Sequence, residues 1–258
     1  MTIVVRGTVS YDGTAFAGFQ RQPRQMTVQG ALEDAIARVT REAVTVYGAG
    51  RTDTGVHATG QVIHFATASA LPLSTLLRAI NACLPDDVTV RDLAEAPASF
   101  HARYDAHSRE YRYVVENAPV PSPLWRKRAY HVPAPLAVEP MQQALGAVEG
   151  RHDFAAFGSP MEHTRPERDG EPGGVVRGST TRTMFLARCW RRQRFVLFCF
   201  VADAFLRHMV RMLVGTLVRM GSGRLPAQAM AALLAGDRSF AAGPAAPAHG
   251  LYLTQVRY

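Results

Sequence analysis

The fold is decided by the stretch Val44-Thr-Val-Tyr-Gly-Ala-Gly-Arg-Thr-Asp-Thr-Gly-Val-His-Ala-Thr-Gly-Gln-Val-Ile-His-Phe65. It contains two segments typical of β-strands, Val44–Tyr47 and Gln61–Phe65, joined by a long loop. A tight hairpin needs only about two to five connecting residues, so a connection as long as Gly48–Gly60 calls for another reason. Its glycines permit backbone conformations that other residues resist. The stretch therefore predicts an antiparallel pair of strands with a functional loop between them.

Alternation and helical periodicity on either side of this stretch extend it into an α+β module. Ile3–Tyr11 alternates with the period of a strand, and Val28–Val39 has the apolar spacing of a helix with Thr27 as its N-cap. Leu73–Ile80 predicts a second helix and Val88–Leu93 a further strand. The order strand, helix, two strands, helix, strand indicates an antiparallel sheet.

The rest of the chain repeats this order with larger insertions. The predicted elements are a strand at Tyr111–Val115, a helix at Met141–Val148, a hairpin of Met184–Trp190 with Phe195–Ala202, helices at Leu206–Val218 and Pro226–Gly236, and a closing strand at Leu251–Tyr258. We expect two similar halves, residues 1–105 and 106–258, with their sheets side by side. The insertions 159–181 and 237–250 match no element, and loops of this length are usually functional or disordered.

Composition places the chain among folded proteins. Hydrophobic residues make up 47% and charged residues 19%. The longest apolar run, Phe195–Phe205, is interrupted by Asp203 and is too short to cross a bilayer. The amino terminus has no secretory signal pattern, so a cytoplasmic location is the default expectation and no membrane association is expected.

The charge balance points to a nucleic-acid partner. The net charge is +8 and the pI is about 9.9. Genomic bias explains a preference for arginine over lysine but not the excess of bases over acids. The segment Arg103–Arg112 mixes arginines with tyrosines, which suits RNA because arginine binds phosphate and tyrosine stacks on unpaired bases. The alternative is a half-exposed edge strand on which Tyr111 and Tyr113 cover a core.

Neither the cysteines nor the histidines have the spacing of a metal site. Cys83, Cys189 and Cys199 form no CxxC pair; buried reduced thiols are favoured, and a Cys189–Cys199 disulfide is the weaker alternative. The residues that invite a metal interpretation match no zinc pattern: Asp53, His57, His64, His101 and His107. No G-x-S-x-G motif is present, which argues against serine–histidine catalysis.

Asp53 is the candidate for chemistry within the glycine loop. Arg51, two residues earlier, is suited to keep this carboxylate ionised or to reach a substrate phosphate. The alternative is that Asp53 only caps the loop in an Asx-turn. Arg207 and Arg211 lie beside the apolar face of the predicted Leu206–Val218 helix. An arginine near buried surface is costly without a carboxylate, and we expect Asp53 to be that partner.

Taken together and in order, these residues resemble the tRNA pseudouridine synthase A family. The motifs span nearly the whole chain: Tyr11-Asp-Gly-Thr14 with Gly18-Phe-Gln-Arg-Gln22, Gly50-Arg-Thr-Asp-Thr-Gly-Val-His57 with Gly60-Gln61, Phe100-His-Ala-Arg103, Arg109-Glu-Tyr-Arg-Tyr113, Gly150-Arg-His-Asp-Phe154 with Phe157, Ala204-Phe-Leu-Arg-His-Met-Val-Arg211, and Gly250-Leu-Tyr-Leu253.

The resemblance implies two ferredoxin-like halves that share an extended antiparallel sheet, with helices on one face. It implies a homodimer that isomerises uridine to pseudouridine at positions thirty-eight to forty of the tRNA anticodon stem-loop, with neither metal nor organic cofactor. It further implies that Asp53 is the nucleophile, that Arg211 pairs with it, and that Tyr111 and Arg51 contact the target nucleotide. Met212 departs from the asparagine often found there in the family.

Two alternatives remain open from the residues alone. The first is a non-catalytic RNA-binding protein that uses the same basic sheet; an acid at the centre of an RNA surface argues against it, because Asp53 would repel phosphate. The second is a pseudouridine synthase that acts on a different RNA. Neither the set of uridines modified nor whether the carboxylate attacks the sugar or the base follows from the sequence.

Overall fold

The computed structural model describes residues 2–159, 162–165 and 174–258. Residues 160–161 and 166–173, part of the insertion 159–181, lie outside the described residues. The strands are β1 Ile3–Tyr11, β2 Tyr47–Gly48, β3 His57–Thr67, β4 Val88–Ala96, β5 Ser108–Asn117, β6 Tyr130–Val132, β7 Gly150–Asp153, β8 Glu162–Arg165, β9 Gly174–Arg177, β10 Thr181–Arg192, β11 Phe195–Ala202 and β12 Leu251–Arg257. The helices are α1 Val28–Thr40, α2 Leu73–Cys83, α3 Val138–Gly146, α4 Met209–Gly221 and α5 Ala229–Leu234.

The chain divides into two compact units that are not continuous in sequence. The first comprises Met1–Arg112, Lys127–Ala129 and Ala248–Tyr258; the second comprises Tyr113–Arg126 and Tyr130–Pro247. Strand β5 therefore begins in the first unit and ends in the second. The fold is α+β with a mostly antiparallel sheet of ten strands, which confirms the predicted class.

The first unit carries the strand order β4-β1-β3-β12-β5, with β2 also paired to β3. Strand β1 is antiparallel to both β3 and β4, whereas β12 runs parallel to β3 and places Tyr252 opposite His57. The core side chains that fill this unit include Val5, Val9, Ile63, Leu32 and Ile80, all almost completely buried. The sequence predicted both the alternation in β1 and the apolar faces of α1 and α2.

Local signals in the sequence set the beginning of α1 but not the extent of β2. The Thr27 side chain accepts a hydrogen bond from the Gly30 N–H, so the predicted N-cap is confirmed. The predicted strand Val44–Tyr47 is wrong, because only Tyr47–Gly48 pairs with β3. The Val46 N–H donates instead to the Glu33 carboxylate at 3.0 Å, which removes the donor that a strand ladder would use.

The second unit carries the order β5-β11-β10-β7, and β6 runs parallel to β5. Strands β10 and β11 form the predicted hairpin, and α3 packs on both β10 and α4. Strands β8 and β9 form a separate two-stranded sheet within the insertion. The completely buried Phe198 and Phe200 of β11 and Leu213 and Leu217 of α4 belong to the core of this unit.

The insertion 237–250, which matched no element, packs largely along α4. The Gly243 N–H donates to the Thr216 hydroxyl at 2.8 Å, and the Ala246 N–H donates to the Arg211 carbonyl at 2.9 Å. The segment ends in a short 3-10 turn at Ala248–Gly250. Its main chain is therefore satisfied by helix side chains and carbonyls rather than by regular structure.

The three cysteines are free thiols, as favoured from the sequence. Cys189 and Cys199 are buried and form no disulfide. Burial raises the pKa of the Cys189 thiol to about 12, and the nearby Glu139 carboxylate adds to this shift. Cys189 is therefore a protonated, unreactive core residue.

Candidate active site

The loop Ala49–Val56 between β2 and β3 is anchored immediately before Asp53. The Thr52 carbonyl accepts a hydrogen bond from the Phe19 N–H at 3.1 Å, and the Thr52 hydroxyl lies 2.8 Å from the hydroxyl of Tyr11. Burial raises the pKa of Tyr11 to about 12, so this phenol stays neutral. Thr52 is itself buried, whereas Asp53 is only half-buried. The anchor therefore fixes the residue before the carboxylate and leaves the carboxylate accessible.

A main-chain turn and a close glycine contact complete the loop. The Asp53 carbonyl accepts from the Val56 N–H at 3.1 Å, with Gly55 in the left-handed region at φ 77°. Gly18 has φ 96°, and a Cβ on it would lie 2.8 Å from the Thr52 carbonyl oxygen. A main-chain oxygen closes this turn, so this bond does not depend on the side chain of Asp53.

Tyr111 lies beside the loop, and its contact with the target base stays a prediction. Its hydroxyl is 3.5 Å from the position that a Cβ on Gly50 would occupy, and the side chain is only 9% exposed. Burial is the main cause that raises the pKa of Tyr111 above its ordinary value; the neighbouring Tyr11 hydroxyl and the Asp53 carboxylate add to the shift, and the Arg109 guanidinium opposes it. Tyr111 is therefore a neutral phenol in electrostatic contact with Asp53.

Arg51 is exposed at the surface of the loop and lies near a second arginine. Burial is the main cause that lowers the pKa of Arg103, and the positive charge of Arg51 lowers it further. The structure thus brings Asp53, Tyr111 and Arg51 together within the first unit. This arrangement combines a carboxylate, a neutral ring and positive charge.

Arg211 belongs to the second unit, in the first turn of α4. Its guanidinium Nε donates to the Ala246 carbonyl at 2.7 Å, so the side chain also holds the 237–250 segment. Arg207 is exposed, and its main-chain N–H donates to the Ser159 carbonyl at 3.1 Å. The pairing of Arg211 with Asp53 stays a prediction.

A family model described as tRNA pseudouridine synthase matches residues 8–105 and 144–258. The two segments cover most of the chain and include Asp53, Arg51 and Arg211, while Tyr111 falls between them. The chain belongs to the tRNA pseudouridine synthase family. Enzymes of this family are isomerases, and the chain is one of them.

Curated relatives agree with this assignment over nearly the whole length of the synthase. A tRNA pseudouridine synthase A of Roseiflexus castenholzii is 47% identical, over 97% of this chain and 88% of the relative. One from Brevibacillus brevis is 43% identical, over 98% of this chain and 99% of the relative. Among solved structures, a Cbf5-Nop10-Gar1 complex chain aligns with TM-score 0.30 and 12% identity, over 97% of this chain and 58% of that chain, too weakly to support an argument.

His57 is a buried histidine to which the sequence assigned no role. It anchors the end of the synthase loop at which β3 begins. The Gly13 N–H donates to His57 Nδ1 at 3.0 Å, so Nε2 carries the proton that faces the carbonyls of Lys127 at 3.0 Å and His249 at 3.2 Å. The ring stacks on Tyr252 at 4.8 Å between centroids. One side chain thus joins three separate stretches of the first unit at the point where β3 begins.

Asp12 adds charge to this anchor. Its carboxylate lies 3.1 Å from His57 Nδ1 and 2.8 Å from Arg128 Nη2. Burial alone would raise the pKa of Asp12, but hydrogen bonds from Thr14 and the positive charge of Arg128 outweigh it and leave the pKa below its ordinary value. In the sequence, Asp12 and His57 appeared only as members of the motifs Tyr11-Asp-Gly-Thr14 and Gly50–His57, and neither residue was given a role there.

Two other histidines of the first unit, His64 and His101, are engaged in hydrogen bonds and ring contacts. His64 Nδ1 accepts from the Ala102 N–H at 3.1 Å, and burial lowers the pKa of His64 to about 4. His101 Nδ1 accepts from the N–H groups of Arg103 and Tyr104. Across residues 2–159, 162–165 and 174–258, no group of three or more His, Cys, Asp or Glu side chains is arranged to hold a metal ion.

None of the helices within the described part of the chain has the length and apolar character needed to span a membrane.

Proposed function

We propose that this synthase isomerises uridine at positions thirty-eight to forty of the tRNA anticodon stem-loop, with Asp53 as the nucleophile. The supporting observation is that a half-buried carboxylate stands in a loop whose main chain is fixed, with the neutral ring of Tyr111 beside that loop. A loop that served only as a turn would not need the anchor at Thr52 or a tyrosine at its side.

The chemistry requires a nucleophile that releases and then returns the base. The bond from the ribose carbon to nitrogen 1 of uracil breaks, the base turns, and a new bond forms from the same ribose carbon to carbon 5. Carbon 5 loses a proton and nitrogen 1 gains one, so the atoms balance without any added reagent. The Asp53 carboxylate can form the covalent intermediate that divides this change into two easier steps. Attack on the sugar and attack on the base both satisfy this account.

The target nucleotide must leave the helical stack before Asp53 can reach it. Unstacking costs a few kcal/mol, which a pocket offsets by stacking and hydrogen bonds to the extruded base. Tyr111 would cover one face of the base and Arg51 would bind its phosphate. Arg211 would pair with Asp53 and hold the carboxylate in place by a charge-assisted hydrogen bond.

Asp53→Asn tests the nucleophile directly. The amide has nearly the same size, and the turn from the Asp53 carbonyl to the Val56 N–H is main chain and survives the change. We expect pseudouridine formation to fall by about three orders of magnitude or more, because no other group replaces the nucleophile. tRNA binding should persist or tighten slightly, since a negative charge facing phosphate is removed. The measurement is pseudouridine mapping in tRNA incubated with pure protein and no added metal.

Asp86→Asn is the matched control, because Asp86 is exposed in a turn of the same unit. It removes the same charge and should leave activity and binding unchanged. Undiminished activity of Asp53→Asn would refute the assignment of the nucleophile. Wild-type protein that binds tRNA but forms no pseudouridine would favour the non-catalytic RNA-binding alternative. Pseudouridine at uridines outside the anticodon stem-loop would favour the second alternative, a synthase for another RNA.

The assembly and location that we propose follow from the family. The synthase would act as a homodimer in the cytoplasm, where its tRNA substrate is found. The excess of bases over acids gives a chain of net charge +8 the attraction to phosphate that such a partner requires.

A further inference from the structure

Four rings form a contiguous cluster on the first unit, beginning in β2 two residues before the loop. We call Tyr47, His64, His101 and Tyr104 the ring cluster. Tyr47 stacks on His64 at 4.9 Å between centroids and 18° between planes, His64 meets His101 at 4.7 Å, and His101 meets Tyr104 at 4.2 Å. Tyr47 is 47% exposed and Tyr104 is 73% exposed. The cluster therefore has a buried base and two exposed tyrosine faces.

The exposure of Tyr104 is enforced by the turn that carries it. The Nδ1 atom of His101 accepts from the N–H groups of both Arg103, at 3.1 Å, and Tyr104, at 3.3 Å. The Asp105 carboxylate accepts from the His101 N–H at 2.8 Å, and the Asp105 N–H donates back to the His101 carbonyl at 3.1 Å. A ring held outward by a hydrogen-bonded turn keeps its apolar face in water, which is costly unless something covers it.

Arg109 links this turn to the loop that carries Asp53. Its guanidinium Nη2 donates to the Arg103 carbonyl at 2.5 Å and to the Ala49 carbonyl at 3.2 Å. Ala49 is the first residue of the loop. The ring cluster and the loop are thus fixed to each other within one unit.

Positive charge accompanies the exposed rings. The Arg103 guanidinium lies 5.8 Å from the centroid of the Tyr104 ring, and Arg51 is close enough for its charge to lower the pKa of Arg103, after burial. Among the described residues, the ion pairs do not include Arg51 or Arg103. Two neighbouring guanidinium groups without a carboxylate repel each other, and a phosphate between them removes that repulsion.

We propose that the ring cluster and the Arg51–Arg103 pair bind an unpaired nucleotide next to the target uridine, with its base stacked on Tyr104 and its phosphate between the two arginines. Exposed tyrosine next to arginine is the combination that binds single-stranded RNA without reading its sequence. The inference rests on the proposed function, since it places the target uridine at Asp53. It adds a second subsite that holds the neighbouring nucleotide while the target is turned out.

The test is made in the Asp53→Asn variant, which we expect to be inactive, so that the bound RNA is not converted during the measurement. The probe is a tRNA anticodon stem-loop with the fluorescent base 2-aminopurine placed beside the target uridine. Its fluorescence should be quenched on binding, because 2-aminopurine stacked on an aromatic ring loses emission. Adding Tyr104→Ala should abolish this quenching and raise the Kd about ten-fold, while Tyr104→Phe should keep both near the parent values.

Phe185→Ala is the matched control, because Phe185 is also a half-exposed aromatic, on β10 of the second unit. It should change neither the Kd nor the quenching. Arg103→Ala should reduce the slope of log affinity against log salt by about one, the value expected for one phosphate contact. If Tyr104→Ala behaves like Phe185→Ala, the subsite is overturned. It is also overturned if Tyr104→Trp, which keeps an aromatic ring at this position, shows no quenching.

Two kinetic constants distinguish the subsite at Tyr104 from the nucleophile at Asp53. In the active protein, Tyr104→Ala should raise KM for the stem-loop about ten-fold with little change in kcat, whereas Asp53→Asn removes kcat. If quenching depends on Tyr104 but the wild-type protein forms no pseudouridine, the subsite is supported and the proposed function is refuted. If the wild-type protein forms pseudouridine but its KM does not change in Tyr104→Ala, the proposed function is supported and the subsite is refuted. Unchanged RNA affinity of Tyr104→Ala would overturn the subsite and leave the proposed function untouched.

Discussion

At the scale of single residues, the candidate site separates a side chain that reacts from groups that fix its main chain. Asp53 is half-buried, whereas its neighbour Thr52 is buried and bound through both its carbonyl and its hydroxyl. The carboxylate thus keeps access to a substrate although the residue before it is held in place. Positions of this kind are where a substitution of equal size changes chemistry without changing the fold.

Arg211→Ala and Arg207→Ala form a matched pair, because Arg211 lies in the first turn of α4 and Arg207 lies just before that helix. If Arg211 pairs with Asp53, removing it should lower turnover about a hundred-fold or more, because the carboxylate loses its positively charged partner. Arg207 is exposed, and its loss should change turnover by no more than about two-fold. Pseudouridine formation in a single-turnover assay measures both; equal rates in the two variants would contradict the pairing.

Stability must be measured alongside, since Arg211 also donates to the Ala246 carbonyl at 2.7 Å. Leaving that carbonyl without its partner should reduce the free energy of unfolding by about 1–3 kcal/mol. An Arg211→Ala protein that is folded at the assay temperature separates the two effects.

At the scale of elements, glycines outside the loop decide how closely the loop is packed. Gly18 combines φ 96° with a position where a Cβ would lie 2.8 Å from the Thr52 carbonyl oxygen. Its segment also supplies the Phe19 N–H that binds this carbonyl. The segment after β1 is therefore part of the loop's support, although it is distant in sequence from Asp53.

Gly18→Ala should displace the loop, whereas Gly223→Ala should not. Both glycines have positive φ, at 96° and 73°, but nothing lies within 4 Å of a Cβ on Gly223. The backbone strain shared by both variants costs about 1 kcal/mol or slightly more. Only Gly18→Ala should also lower kcat, because Thr52 and then Asp53 must move. Chemical denaturation and pseudouridine assays together test this; a kcat equal to that of Gly223→Ala would contradict it.

The elements that were predicted correctly are those that local signals determine. The period of β1, the Thr27 cap and the β10–β11 hairpin depend on neighbouring residues alone, and all three are confirmed. The strand Val44–Tyr47 was wrong because Glu33, on α1, takes the Val46 N–H, and no periodicity in the strand itself shows such a partner.

The candidate site was predicted in part for the same reason. Asp53, Arg51 and Tyr111 come from motifs that carry their own chemistry, and the structure brings them together. The role of His57 was missed because its partners at Gly13, Lys127 and His249 are scattered along the chain and include main-chain atoms that leave no mark in the sequence.

At the scale of the whole molecule, the family resemblance and the size of the substrate argue for two copies of the chain. A single chain of 28.2 kDa has limited surface with which to span an L-shaped RNA. We expect sedimentation at micromolar concentration to give twice the mass of the chain, with or without tRNA. A sample that sediments only as monomer under both conditions would contradict the homodimer.

The parallel pairing of β12 with β3 has a consequence for biosynthesis. The loop that carries Asp53 leads into β3 at His57, whose ring contacts the His249 carbonyl and Tyr252. On the ribosome, amino-terminal segments emerge and fold first, yet this unit cannot close until residues 248–258 have left the exit tunnel. A nascent chain therefore displays its RNA-attracting arginines before its loop is anchored. It becomes competent for catalysis only after residues 248–258 have emerged from the exit tunnel.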